Sequence, residues 1–292
     1  MSAPHADATL PEKAFVWLQR LLPTLALSSL IHRIAAIRHP ATKNWLIKRF
    51  LKHFPVDLSE AIWDKPENYD SFNAFFTRPL KPGARTLDAD PMTLVSPADG
   101  RISQLGRIEN GQIFQAKGHV YSAADLLGSE EAAAPFDGGG FCTIYLAPHN
   151  YHRVHMPATG ILKSWSYVPG QLFSVNDATA RLLPGLFTRN ERVCARFDTV
   201  YGPLAVVLVG ALLVGGIETV WSGPVTPPHG GEANDYEPMN TTKLTRGDEL
   251  GRFNMGSTVI LLSAPGKIRW SDELDAGEAV RMGQALGRLA KG

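Results

Sequence analysis

The 292-residue sequence predicts an α+β protein in which an N-terminal amphipathic helical region lies on a β-rich, sandwich-like domain. As far as about residue 85, apolar residues recur at helical spacing, and prolines interrupt the pattern. From residue 86 onwards, short apolar runs alternate with glycine and proline, which is typical of strands joined by turns. We therefore predict two parts, residues 1–85 and residues 86–292.

Composition excludes several classes of protein. With 44% hydrophobic and 20% charged residues, the chain can bury a core and is not disordered. The net charge of +1 gives no support for nucleic acid as a partner. Cys142 and Cys194 have neither metal-ligand nor CxxC spacing, so reduced thiols are expected. The first ten residues contain Asp7 and no basic cluster, and a cleavable secretory signal is not predicted.

Three amphipathic helices are predicted in the N-terminal region. The first follows Pro11 and ends or bends at Pro23, and the second is closed by Pro40. The third is predicted to begin with Thr42 as its N-cap and to stop before Pro55.

Shorter elements are predicted between the third helix and the β-rich part. Asp57 and Ser71 are each expected to cap a short helix. Residues 72–85 combine three phenylalanines with proline and glycine, which predicts an aromatic plug that runs into a linker at the domain boundary.

Charge is distributed unevenly along the helical region. Between residues 13 and 56 there are eight Lys or Arg and no Asp or Glu, and Trp17 and Trp45 lie among the apolar residues. This pattern suits the surface of an anionic membrane, although helices that pack on a core with a solvated basic face are the alternative. No segment offers about 20 uninterrupted apolar residues, so a transmembrane helix is not predicted.

The second part of the chain is predicted to consist of short strands. They are expected at residues 94–95, 101–108, 112–115, 141–146, 160–167, 193–197, 204–215 and 259–262. Residues 129–140 are predicted to form a surface loop, and residues 224–240 a long mobile loop. The absence of a glycine-rich phosphate loop from the sequence argues against nucleotide chemistry.

One segment near the C-terminus combines a flexible peptide with a nucleophile. Gly256 permits unusual backbone geometry, and the hydroxyl of Ser257 is placed to attack the preceding carbonyl and convert the amide into an ester. Many enzymes activate a serine with a base and a carboxylate that orients the base. Asp99 and the histidines at 149, 152 and 155 are residues of these two types. A turn before a strand is the alternative for Gly-Ser, and a turn-forming carboxylate is the alternative for Asp99.

The three histidines have three interpretations. Three imidazoles in one segment could bind zinc, but the sequence places no acidic or cysteine ligand nearby. On a strand, His152 and His155 would also point to opposite faces. A structural pair of histidines is the second interpretation, and an acid–base role is the third.

Together, the segments around Asp99, His155 and Ser257 resemble the phosphatidylserine decarboxylase proenzymes, pyruvoyl-dependent enzymes that cleave themselves between glycine and serine. The resemblance runs from about Phe72 to the end and is looser across the N-terminal helices. It includes residues 170–176 and 190–193, which resemble substrate-pocket and scaffold elements of that family. Met255 is a departure, since many members have leucine there.

The resemblance implies a role for each site residue. His155 matches the base that activates the serine, Asp99 its orienting carboxylate, Ser257 the nucleophile, and His152 a histidine on the substrate side. Cleavage between Gly256 and Ser257 would give a large chain (1–256) and a small chain (257–292), which form a heterodimer that can dimerise further. Ser257 would become the covalent pyruvoyl cofactor, and no metal is implied.

The implied function is decarboxylation of phosphatidylserine to phosphatidylethanolamine, in phospholipid biosynthesis, through a Schiff base with the pyruvoyl group. The implied location is peripheral, on the cytoplasmic side of an anionic cell membrane. Three rivals remain: a serine hydrolase that acts on lipids, a non-enzymatic membrane-bound module, and a pyruvoyl enzyme for a soluble amino acid. The hydrolase lacks support because no Gly-x-Ser-x-Gly motif surrounds Ser257.

Overall fold

The computed structural model describes residues 9–213, 216–227, 229–254 and 256–290, so Asp7 and Met255, which the sequence analysis singled out, lie outside the described residues. The N-terminal region forms four helices before the first strand. They are α1 (Leu10–Leu21), α2 (Thr24–Ala35), α3 (Pro40–His53) and α4 (Phe72–Phe76).

The helix boundaries follow from local capping. Thr9 and Glu12 form a reciprocal capping box at the start of α1, and Pro23 separates α1 from α2 as predicted. The prediction that Pro40 closes the second helix is wrong, because α2 already ends at Ala35 and Pro40 starts α3. The prediction of Thr42 as the N-cap of α3 is wrong, because the helix begins two residues earlier, at Pro40. Proline suits that position, since its fixed φ matches the first helical turn and its missing N–H has no partner to lose there.

The two predicted caps beyond α3 have different outcomes. The Ser71 hydroxyl accepts a 3.1 Å hydrogen bond from the Ala74 N–H at the start of α4, as predicted. No helix follows Asp57, whose carboxylate instead accepts a 2.8 Å hydrogen bond from the Ser59 N–H in a turn. That prediction is wrong because the same side-chain bond to the backbone stabilises isolated turns as well as helix ends.

The second part of the chain contains the strands and four further short helices. The strands before the longest loop are β1 (Thr93–Val95), β2 (Gly100–Arg107), β3 (Gln112–Ala116), β4 (His119–Ser122), β5 (Gly140–Leu146), β6 (Arg153–His155), β7 (Gly160–Val168), β8 (Arg192–Thr199), β9 (Gly202–Gly210), β10 (Ile217–Thr219) and β11 (Gly223–Pro224). They are followed by β12 (Asn234–Tyr236), β13 (Lys243–Leu244), β14 (Glu249–Phe253), β15 (Ser257–Ser263), β16 (Ile268–Trp270), β17 (Ala279–Val280) and β18 (Ala285–Leu289). The helices are α5 (Ala123–Leu127), α6 (Glu130–Ala133), α7 (Asp177–Leu182) and α8 (Leu186–Arg189).

One large antiparallel sheet organises the β-rich part. Its strand order is β12-β7-β8-β9-β15-β5-β2-β17, and β13 also pairs with β7. A second sheet, in the order β11-β10-β14-β6, packs against it, and smaller sheets are formed by β1-β18-β16 and β3-β4. The predicted α+β class, with helices on a β-rich sandwich-like domain, is confirmed.

Strand β15 lies at the centre of the large sheet and is buried on both faces. Val259 and Leu261 face the core shared with the second sheet, whereas Ile260 and Leu262 face the core formed with α5–α8. Burial of both faces explains why the sequence has an unbroken apolar run at this strand and not an alternating one. Strands β9 and β5 flank it, and each pairs with seven of its residues.

Three loop and strand predictions need correction or completion. Residues 129–140 are not only a surface loop, because α6 and the 3₁₀ turn Ala134–Phe136 lie there and bury Ala132, Ala133 and Phe136. The strand predicted at 204–215 ends at Gly210, and residues 214 and 215 lie outside the described residues. Within 224–240, β12 adds an edge strand to the large sheet, residue 228 is outside the described residues, and the mobility of the loop stays a prediction.

The helical region has its own aromatic core. The Phe50 ring on α3 lies within 6 Å of the rings of Phe54, Phe72, Phe75 and Phe76. Helix α4 therefore joins the N-terminal helices to the β-rich part. Among the described helices none is long and apolar enough to span a membrane by itself. The pair α1 and α2, bent by 89°, meets the length and composition criteria only when its two helices are taken together.

Candidate active site

Ser257 is the first residue of the central strand. It pairs with Leu146 on β5 and Gly210 on β9, and it is fully buried. Alternation along β15 directs its side chain toward the core between the two larger sheets. The Ser257 Oγ has no hydrogen-bond partner among the described residues, a state that it shares with a few other buried hydroxyls, including that of Thr258.

The residue before Ser257 adopts a backbone conformation that favours glycine. Gly256 has φ +33°, and a Cβ at this position would meet no atom within 4 Å. Conformation, and not lack of space, therefore makes glycine suitable here. The unusual backbone geometry that the sequence predicts before the nucleophile is present as this positive φ.

The residues leading into this peptide are held by three separate segments. The Asn254 N–H donates to the Gly216 carbonyl at 2.8 Å, and the Asn254 Oδ1 accepts from the Asn73 Nδ2 at 3.0 Å. The Phe253 N–H donates to the His152 carbonyl at 3.0 Å. We call residues 254–257 the cleavage turn, of which residue 255 lies outside the described residues.

Asp99 is buried and bound by an arginine from the end of the helical region. The Arg85 Nε donates to its Oδ1 at 2.8 Å, the Arg85 Nη2 donates to its Oδ2, and the Met282 N–H donates to its Oδ1 at 2.9 Å. The alternative interpretation of Asp99, a turn-forming carboxylate, is not what the structure shows, because its partners are distant in sequence. Sequence reasoning missed Arg85, whose pairing no local pattern indicates.

His155 is oriented by a backbone carbonyl. Its Nδ1 donates to the Gly247 carbonyl at 2.7 Å, which leaves its Nε2 to accept from the Tyr151 hydroxyl at 2.9 Å. Burial lowers the pKa of His155 below its ordinary value of 6.5. The ring is therefore neutral near pH 7, with an unprotonated Nε2 that can act as a base.

His152 lies deeper than His155 and is fully buried. Its Nδ1 donates to the Asn150 carbonyl at 2.9 Å, and its ring lies 4.2 Å from the Phe76 ring on α4. The His152 Nε2 is buried and has no partner among the described residues. Burial lowers the pKa of His152 to about 3, so its free Nε2 is an acceptor at neutral pH.

Strand pairing brings the histidine segment to the cleavage turn. Strand β6, which carries His155, pairs with β14, and β14 ends at the cleavage turn. Asp99, His155 and Ser257 make no direct hydrogen bond to one another, and the predicted relay stays a prediction. His149 joins the group only through its backbone carbonyl, which accepts from Arg78. Among the described residues no cluster of three or more His, Cys, Asp or Glu has metal-site geometry.

The two scaffold segments predicted from the sequence meet on the other side of Ser257. The Asn190 amide donates to the carbonyls of Phe173 and Gly210, both at 2.8 Å, and its oxygen accepts from the Phe173 N–H. Since Gly210 pairs with Ser257, Asn190 ties residues 170–176 to the central strand. The neighbouring Glu191 is buried and accepts from the Tyr167 hydroxyl and the His229 Nδ1, both at 2.9 Å.

Comparison with known proteins identifies relatives over almost the whole chain. A family model described as phosphatidylserine decarboxylase matches residues 72–288, and a model described as PSD matches residues 14–55. The phosphatidylserine decarboxylase proenzyme of Ectopseudomonas mendocina (strain ymp) is 54% identical over 280 residues, which cover 94% of this chain and 98% of the relative.

Two further relatives carry the same name. The phosphatidylserine decarboxylase proenzyme of Xanthomonas euvesicatoria pv. vesicatoria (strain 85-10) is 56% identical over 270 residues, which cover 92% of this chain and 96% of the relative. The phosphatidylserine decarboxylase proenzyme of Stutzerimonas stutzeri (strain A1501) is 52% identical over 283 residues, which cover 96% of this chain and 95% of the relative. The matched region includes Asp99, His152, His155 and the Gly256–Ser257 peptide, and the resemblance seen in the sequence is confirmed. The chain belongs to the phosphatidylserine decarboxylase family.

Proposed function

We propose that this chain cleaves itself between Gly256 and Ser257 and then converts phosphatidylserine into phosphatidylethanolamine. The observation that carries the proposal is the Ser257 hydroxyl, which is buried and unpartnered directly after a glycine with positive φ. A buried hydroxyl without a partner costs free energy, on the order of 1–3 kcal/mol, and a role in the reaction explains why the fold retains it.

In the proposed cleavage, His155 acts as the base. Its Nε2 takes the Ser257 proton once the hydrogen bond from Tyr151 has opened, and the Ser257 oxygen attacks the Gly256 carbonyl carbon. The amide becomes an ester, and elimination then breaks the bond between the Ser257 Cβ and the ester oxygen. Gly256 leaves as a new carboxyl terminus, and the residue at 257 loses its amine by hydrolysis and retains a carbonyl.

We propose a supporting electrostatic role for Asp99. Its carboxylate is neutralised by Arg85, and its charge raises the pKa of His155 by a small amount against the larger lowering by burial. The hydrogen bond from the proton-bearing Nδ1 of His155 is accepted by the Gly247 carbonyl and not by Asp99. Asp99 thus fixes Arg85 and the Met282 backbone beside the histidine segment, while Gly247 sets the tautomer.

The site fits the pyruvoyl group that the family implies. Position 257 is buried, and its Oγ has no partner among the described residues; the same is true of the Nε2 of His152, whose carbonyl binds the Phe253 N–H just before the cleavage turn. A pyruvoyl carbonyl condenses with the amine of an amino-acid headgroup and withdraws electrons from the carbon that loses carbon dioxide. Pairing of β15 with β9 and β5 holds position 257 in place, and the surrounding core excludes water.

His152 is proposed to act on the substrate side. With a pKa of about 3, it cannot supply a proton at neutral pH until it has first accepted one. Its free Nε2 is therefore proposed to accept a hydrogen bond from the substrate amine and so to orient the headgroup, without carrying a proton itself. His155, once cleavage is complete, is the second neutral imidazole beside the site.

The two chains produced by cleavage are expected to remain together as a heterodimer. Seven residues of β15 pair with β9 and with β5, and β17 and β18 of the small chain pair with β2 and β1. We expect both chains to co-elute in native gel filtration and to separate only in denaturant. Separate native elution of the small chain would contradict this part of the proposal.

We also propose that the helical region binds the cytoplasmic surface of an anionic membrane. Trp17 and Trp45 are each 61% exposed, and Leu10 and Leu21 are 81% and 62% exposed. Such side chains, close to the basic residues of α1–α3, suit an anionic lipid surface.

Replacing the exposed tryptophans tests the membrane proposal. We expect Trp17→Gln with Trp45→Gln to reduce binding to phosphatidylserine-containing vesicles about tenfold or more, because each ring contributes apolar burial at the interface. Sedimentation with vesicles measures this, and Val200→Gln, which removes an apolar side chain 78% exposed on the β-rich part, is the control. Unchanged binding of the double variant, with normal cleavage, would remove these helices from the membrane contact.

Product formation tests the reaction itself. Purified enzyme is expected to convert phosphatidylserine in mixed micelles to phosphatidylethanolamine with release of carbon dioxide. Free serine, the substrate class of the amino-acid rival, is expected to react far more slowly. Release of fatty acid instead of carbon dioxide would favour the lipid hydrolase.

A further inference from the structure

Arg78, two residues beyond α4, is a buried cation whose hydrogen-bonding groups are only partly used. The residue is 4% exposed, and its Nη2 donates to the carbonyls of His149 at 3.0 Å and Asn150 at 3.3 Å. Its Nε and Nη1 are buried without a partner among the described residues. Within the described ranges, no carboxylate lies within ion-pair distance of it, and its Cζ lies 5.8 Å from the centroid of the Phe75 ring.

A second buried arginine shows what a purely structural role looks like in this protein. Arg192 is 2% exposed and also lacks a carboxylate partner in the described part of the chain. Its Nε donates to the Leu126 carbonyl at 2.6 Å, its Nη1 donates to two carbonyls at 2.8 and 2.9 Å, and its Nη2 donates to the Asp125 carbonyl. Every guanidinium nitrogen of Arg192 is used, so burial alone does not account for the idle nitrogens of Arg78.

The position of Arg78 connects it to the reaction centre. Its Nη2 and the His152 Nδ1 both donate to the Asn150 carbonyl, so the guanidinium lies beside the ring whose Nε2 is free. Helix α4 also carries Asn73, which binds Asn254 in the cleavage turn. The carboxylate that could neutralise Arg78, that of Asp99, is already occupied by Arg85 and the Met282 N–H.

We propose that Arg78 binds an oxyanion of the phosphatidylserine headgroup through its free N–H groups at Nε and Nη1. An uncompensated buried guanidinium is costly, and an incoming anion removes that cost, so the ion pair forms only when substrate is bound. The headgroup carries two such oxyanions, the carboxylate and the phosphodiester, and arginine binds both. This inference rests on the proposed function and adds the residue that recognises the charge of the substrate.

The test is calorimetric titration of cleaved enzyme whose carbonyl has been reduced with borohydride, so that binding is measured without chemistry. Glycerophosphoserine is expected to bind, and Arg78→Gln is expected to weaken binding about 10- to 100-fold, the range for a lost charged hydrogen bond. Arg107→Gln, which changes an exposed arginine of β2, is the matched control and should bind normally. Glycerophosphoethanolamine and serine, titrated in parallel, show whether the phosphodiester or the carboxylate depends on Arg78.

Several results would overturn the inference. One is Arg78→Gln protein that cleaves normally and binds glycerophosphoserine with an affinity within twofold of that of the unchanged enzyme. Another is a failure of the unchanged enzyme to bind glycerophosphoserine.

If self-cleavage itself fails, the proposed function fails, but the same titration of the intact chain still tests Arg78. If Arg78→Gln does not fold, the Arg78→Lys variant is used to assign a signal. The Nε–H signal that is present in nitrogen-15 spectra of the unchanged protein and missing from those of Arg78→Lys belongs to Arg78. An unmoved signal at saturating glycerophosphoserine would then overturn the inference.

Discussion

A Ser257→Ala chain is expected to remain a single 31.8 kDa polypeptide and to lose decarboxylase activity by roughly 10⁴-fold or more. Without the hydroxyl no ester can form, so neither the chain break nor the carbonyl at position 257 arises. Denaturing gel electrophoresis and a product assay measure the two losses separately.

The same variant should fold normally, which separates chemistry from stability. The Ser257 Oγ has no partner, and its removal breaks no hydrogen bond in the described structure. We expect the midpoint of its thermal unfolding to lie within a few degrees of the midpoint for a cleavage-competent chain that has not yet cleaved itself. Decarboxylase activity in an uncleaved Ser257→Ala chain would contradict the mechanism.

The second large effect is expected for His155→Ala, which should slow self-cleavage by about 10²- to 10⁴-fold, the usual contribution of a general base. The Nε2 that takes the Ser257 proton is lost, together with the bond to the Gly247 carbonyl. The rate is measured as the fraction of large and small chain over time after synthesis in a cell-free system.

Tyr151→Phe is the matched control for His155→Ala. It removes the hydroxyl that donates to the His155 Nε2 but leaves the imidazole and its bond to Gly247. We expect cleavage to continue in this variant. Efficient cleavage by His155→Ala would instead remove His155 from the role of base.

The dependence of cleavage on pH provides an independent test of the same base. Burial lowers the pKa of His155, so protonation of its Nε2 requires a pH below the ordinary histidine value of 6.5. The cleavage rate should therefore be nearly constant through neutral pH and fall only below 6.5, as the base becomes protonated. A fall that begins above pH 7 would indicate a different group.

Local patterns in the sequence predicted much of the fold. Pro23 marks the boundary between α1 and α2, and the apolar run of residues 259–262 lies inside β15. Thr42 and Asp57 were less informative, because residues that cap helices also occur inside helices, as Thr42 does, and in isolated turns, as Asp57 does. The pairing of β15 with both β9 and β5 depends on contacts between distant segments, which periodicity does not reveal.

The site shows the same division between local and distant information. The sequence indicated Asp99, the histidines and Gly256–Ser257, because each occurs in a recognisable segment. It did not indicate that Arg85 binds Asp99 or that Gly247, 92 residues away, binds His155. Nor could it show that the buried Arg78 has two idle nitrogens, since that depends on every neighbour in three dimensions.

The most direct test of the account is the intact mass of purified, active protein under denaturing conditions. The account predicts two chains split after Gly256, with the small chain of residues 257–292 carrying a carbonyl in place of its terminal amine. A single full-length mass from protein that decarboxylates phosphatidylserine would contradict it.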